Sequence, residues 1–115
     1  MHPHDAFSRF SRYFRAPEKM QDLKKGDLVA IPCTVQMGPF PDEKLVTVET
    51  TEGPISGFVK LPNLHLKDDE NGFVRGLVVS VAETTITAQL YGSFFTTALG
   101  MARVPNDRIQ RYAAA

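Results

Sequence analysis

The sequence predicts a mainly β protein: a duplicated small β-barrel, or a compact antiparallel barrel or sandwich, with a short N-terminal amphipathic helix. Three observations carry this. Short runs rich in β-branched and apolar residues, such as 45–50 and 85–90, alternate with polar ones. They are separated by Gly, Pro and Asn turns with no βαβ alternation. And the chain repeats itself. Val46-Thr47-Val48, Gly53 and Phe58-Val59-Lys60-Leu61-Pro62-Asn63 are echoed by Ile86-Thr87-Ala88, Gly92 and Met101-Ala102-Arg103-Val104-Pro105-Asn106. Gly26-Asp27-Leu28 and Gly72-Phe73-Val74 open the two units, and such repetition points to architecture before function.

The helix is expected over 4–15. Asp5 follows Pro3 as a cap or first-turn acid, and Phe7, Phe10 and Phe14 fall on one helical face opposite Arg9, Arg12 and Arg15. Ala16-Pro17 ends it. Twelve residues do not hold a helix alone in water, so the segment must pack on something. The three phenylalanines either cap the barrel, dock on a neighbouring subunit, or lie on a membrane surface.

The strands follow in order. Residues 28–35 form the first, with Pro32 demanding an edge position or a bulge. Gly38-Pro39-Phe40-Pro41-Asp42 is a stiff loop. Leu45 to Thr50 and Ile55 to Leu61 are strands joined by Thr51-Glu52-Gly53-Pro54, and Pro62-Asn63 leads into a 3₁₀ turn. Asn71-Gly72 is a hairpin signal within the turn 67–72. Strands are expected at 73–81, 84–90 and 94–104, with Gly76 at a bulge or tight bend. The organisation is therefore a segment 1–22, one β domain 23–111 built of repeats 23–66 and 72–111, and a tail 112–115. Units of this length are marginal alone, which favours a shared core.

Gly26-Asp27-Leu28-Val29 opening a strand, followed by a long hairpin and by strands running into Pro62-Asn63 and Pro105-Asn106, resembles the SH3-like and Sm-like small barrels. A fainter similarity is to the soluble β-domain of small-conductance mechanosensitive channels, through residues 74–81, Thr85-Ile86-Thr87 and Val104-Pro105-Asn106. That family's membrane helices have no counterpart here. Both resemblances imply a fold class and a tendency to form rings or dimers through strand edges. Neither implies a function.

The 115 residues are 43% apolar and 23% charged, with zero net charge, which argues against a dedicated polyanion binder. The charge is uneven: residues 1–25 and 73–115 are basic on balance and 26–72 acidic, a pattern suited to pairing between copies. No run reaches the roughly 18 apolar residues of a membrane span, and no secretory signal is visible, so a cytoplasmic location is expected. One cysteine cannot form an internal disulfide.

Chemistry is sparse. Cys33 and His65 are a conceivable nucleophile and base, but Cys33 lies in an apolar strand, where cysteine usually acts as a small hydrophobe. His2, His4 and Asp5 lack the spacing of a structural zinc site. Asp68-Asp69-Glu70-Asn71-Gly72 lacks the alternating ligands of a calcium loop. No phosphate-binding or dinucleotide fingerprint occurs. No catalytic residue, cofactor or metal is therefore expected, and the leading expectation is a non-enzymatic binding or scaffolding module acting as a homo-oligomer. Phe7, Phe10 and Phe14 are its candidates for self-contact; Phe40, Tyr91, Phe94 and Phe95 are candidates for ligand or protein contacts from loops. The first alternative is a nucleic-acid-binding regulator with Lys60, Arg75, Arg103, Arg108 and Arg111 lining a groove and Tyr91 or Tyr112 stacking. The second is a small-ligand pocket or enzyme at a subunit interface.

Overall fold

A computed structural model describes residues 14–15, 23–95 and 100–112, with 14–15 and 111–112 described by backbone alone. Ten strands form one curled antiparallel sheet with a barrel-like form: β1 (Phe14–Arg15), β2 (Leu28–Met37), β3 (Glu43–Thr50), β4 (Gly53–Lys60), β5 (Leu64–Leu66), β6 (Asn71–Val81), β7 (Thr85–Leu90), β8 (Ser93–Phe94), β9 (Met101–Pro105) and β10 (Gln110–Tyr112). The helix expected over 4–15 lies outside the described residues except for its last two. Those two are strand instead: Phe14 and Arg15 pair with Tyr112 and Arg111 of β10.

The sheet is organised around β2 and β6, which pair along seven residues from Leu28↔Leu77 to Thr34↔Asn71. On one side of this seam lie β3, β4 and β8; on the other lie β7 and β9. Each half then returns to the seam. β4 passes through a 3₁₀ turn (Leu61–Asn63) into β5, which pairs with β6. β9 passes through a 3₁₀ turn (Asn106–Arg108) into β10, which pairs with β2. Alternation places Val46, Val48, Val59, Val74, Val78, Ile86 and Val104 in one apolar cluster, to which both halves contribute. The amide of Thr51, in the turn between β3 and β4, also donates to the carbonyl of Arg103 in β9 at 2.9 Å.

Local signals resolve differently from the sequence expectation in four places. Gly76 lies in a regular part of the ladder; the bulge of β6 against β7 falls between Val78 and Ser80. Asn71-Gly72 is not a turn centre but the start of β6. The turn lies over 67–70, where one Asp68 carboxylate oxygen accepts from the amides of Glu70 and Asn71, both at 2.8 Å, satisfying them locally. The run 94–104 is two separate strands, β8 and β9, with Gly100 at φ +67° before β9.

Pro32 is the fourth difference. It is not on an edge strand, because β2 has partners on both sides. The amide of Val35 points toward β6, donating to Glu70 at 2.9 Å. Amides of a strand alternate in direction, so position 32 points the other way. There β3 pairs with β2 only from Thr34 onward, and β10 only at Val29 and Ala30. Proline therefore occupies the point where the ladder has a gap, and its missing N–H leaves no partner unsatisfied.

Candidate functional site

Two surface regions stand out. The first is the outer face of β3, β4 and β8. Leu45 and Phe58 are cross-strand partners there, and Phe58 pairs with Ser93. Beside them the hydroxyls of Thr47 and Ser56 share a hydrogen bond of 2.8 Å. Phe95 donates its amide to Ser56 and sets its ring edge-on to Phe58, centroids 5.2 Å apart. Phe95 remains 61% exposed. Phe94 faces the opposite way and packs against the core. β8 lies close because position 57 is glycine: a Cβ there would collide with Ser93 O and Phe94 Cα.

Phe40 sits in the loop between β2 and β3, 62% exposed, with its carbonyl accepting from Glu43 N. Met37, at the end of β2 beside that loop, is 87% exposed. Tyr91 is half-buried, its amide bonded to Arg75 O and its ring 5.7 Å from the Arg75 guanidinium carbon. The proposed loop set thus divides: Phe40 and Phe95 are presented to solvent, Phe94 belongs to the interior, and Tyr91 is engaged by Arg75. Phe58 is not among the sequence candidates: alternation along 55–61 gives the face it shares with Ser56, but not its partner Leu45. Phe7 and Phe10 lie outside the described residues, and Phe14 is known by backbone in β1.

The five candidate cations lie on different elements. Lys60 ends β4 and pairs with Asp42 at 3.4 Å; Arg103, on β9, reaches Glu52 at 3.8 Å; both pairs are exposed and weak. Arg75 belongs to β6, Arg108 to the second 3₁₀ turn and Arg111 to β10.

The second region is a cleft of about 200 Å³ at the gap beside Pro32. Ile31, Cys33 and Val104 contribute its apolar lining, and Glu49, Asn71 and Arg108 are among its polar residues. Burial pushes the Cys33 thiol up to about 12, so it stays protonated and a poor nucleophile at neutral pH. His65, on β5, pairs with Phe73 of β6, and Cys33 with Gly72. Burial, and secondly the charge of Arg75, lower the His65 pKa below 6.5. Among the described residues no group of three or more His, Cys, Asp or Glu side chains is arranged to hold a metal ion. Nor is any helix among them long and apolar enough to cross a membrane. No family model, curated protein or solved structure matches this chain.

Proposed function

We infer that the chain is a non-enzymatic binding and scaffolding module, a duplicated SH3-like barrel that works as a homo-oligomer. The observation that carries this reading is the aromatic surface outside the core: Phe95 lying on Phe58, and Phe40 at a loop tip. Rings of this size are left in water at a cost of roughly 1.5–3 kcal/mol each relative to burial, so the exposed rings of Phe95 and Phe40 favour a partner surface. The sheet beneath holds them in place, which suits them to recognition.

Duplication is supported by the order of pairing. β2, β3, β4, a 3₁₀ turn and β5 correspond in sequence to β6, β7, β9, a 3₁₀ turn and β10. Each terminal strand pairs with the first strand of the other half. The repeated sequence runs are out of step with this. Pro62 lies within the first turn, whereas Pro105 precedes the second. Homo-oligomerisation is supported by the acidic middle of the chain and its basic flanks, which two copies can juxtapose.

Size-exclusion chromatography with light scattering, on the full chain over a range of concentrations, tests the reading. The expected result is an oligomer for the wild type, shifted toward monomer in Phe95→Ser and Phe40→Ser. A wild-type chain that stays monomeric throughout would remove it.

A further inference from the structure

The cleft beside Pro32 is independent of the aromatic surface. It exists because β3 leaves β2 at Thr34 and β10 reaches β2 only at Ala30, so one stretch of β2 has no strand partner on that side among the described residues. The gap is lined by apolar Ile31, Cys33 and Val104. Glu49, from β3, and Arg108, from the 3₁₀ turn after β9, also line it, so opposite charges come from the two halves of the chain. Among the described residues neither charge has an ion-pair partner, while Lys60 and Arg103 both do. The carbonyl of Pro32, on the side where its N–H is missing, adds an acceptor aimed at the gap.

From this gap in the ladder, with a carboxylate and a guanidinium that have no ion-pair partner among the described residues lining one apolar cleft, we propose that it binds a small zwitterion of the free α-amino-acid class with a short apolar side chain. The ammonium group meets Glu49 and the Pro32 carbonyl. The carboxylate meets the Arg108 guanidinium, whose planar fork matches two carboxylate oxygens. The side chain enters among Ile31, Cys33 and Val104. Size sets the class: a cavity of about 150 Å³ accepts benzene, so about 200 Å³ suits a ligand of roughly eight non-hydrogen atoms, the size of valine. Drug-sized ligands occupy pockets of about 300 Å³ or more.

The test is an NMR titration of the ¹⁵N-labelled full chain with L-valine, with valinamide, which lacks the carboxylate, and with N-acetylvaline, which lacks the ammonium. The expected result is saturable shifts confined to the amides of Ile31, Cys33, Thr34, Asn71, Gly72 and Arg108, with each blocked ligand at least about tenfold weaker. Glu49→Gln is expected to weaken valine about tenfold yet leave N-acetylvaline unchanged, and Arg108→Gln to weaken valine yet leave valinamide unchanged. Both substitutions are on exposed side chains, and thermal midpoints equal to the wild type's show that folding is kept. No saturable shift by about 20 mM valine overturns the proposal, as do blocked ligands binding as well as valine on the wild type, an arm that needs no variant. An oligomer without valine binding rejects the cleft alone; valine binding by a monomer rejects the aromatic surface alone.

Discussion

At the scale of the residue, the informative side chains are those whose surroundings change their chemistry. Cys33 carries a thiol pushed up from 9 to about 12, because burial penalises the thiolate. That leaves on the order of a thousandfold less thiolate at a given pH than the unfolded chain has. A thiol-disulfide reagent at pH 8 is therefore expected to react slowly with native protein and rapidly once urea unfolds it. Fast labelling of the native chain would contradict this burial. His65 gives the pH counterpart. Its folded pKa is depressed, so between that value and 6.5 the unfolded chain binds the proton more readily. Stability from this group is fully present above pH 6.5 and declines as pH falls through that window, levelling below the folded value. The urea midpoint of the wild type should drop more between pH 7.5 and pH 5 than that of His65→Gln; equal drops would show that His65 titrates alike in both states. The lowered pKa of His65 was not legible in the sequence, because the burial and the Arg75 charge that cause it depend on β6 packing on β5.

At the scale of the element, strands bounded by turn residues were legible, and helical or turn detail was less so. The expected strands 45–50 and 84–90 agree with β3 and β7 to within two residues, because alternation there is clean and each strand is paired along both edges. The turn at Thr51-Glu52 is held as its residues suggest, with Thr50 Oγ1 donating to Gly53 O at 2.6 Å and Gly53 at φ +110°. Asn71-Gly72 misled because its hairpin preference lost to the Asp68 carboxylate, which already satisfies the turn amides. Gly57 was silent in the sequence: its function is to let β8 approach, and the partner strand is 36 residues away. Gly57→Ala is expected to push β8 off β4, at a cost of about 1–3 kcal/mol, read as a lower urea midpoint, with faster amide exchange at Phe95. An unchanged midpoint would mean that β8 contributes little to the sheet. In β7, Ile86 is fully buried, and Ile86→Ala should cost about 2–5 kcal/mol in the same measurement. A cost below 1 kcal/mol would place it outside the core.

At the scale of the whole molecule, the two halves of the chain hold one interior through the β2–β6 seam. The sequence repeat pointed to two halves, but could not show that each half's last strand crosses to the other's first, since pairing partners depend on tertiary closure. It flagged Pro32 as anomalous in a strand without revealing that a cleft lay beside it. With the core shared in this way, heat should unfold the chain in a single transition with equal calorimetric and van't Hoff enthalpies. Two separate transitions would mean that the halves are independent. The most direct test of the binding-module account is hydrogen exchange on the full chain at low and high concentration. The account predicts that slowing at high concentration is concentrated at Phe94–Phe95 and around Phe40, with the β2–β6 amides unchanged. Exchange that is identical at both concentrations, or slowed only along the seam, would contradict it.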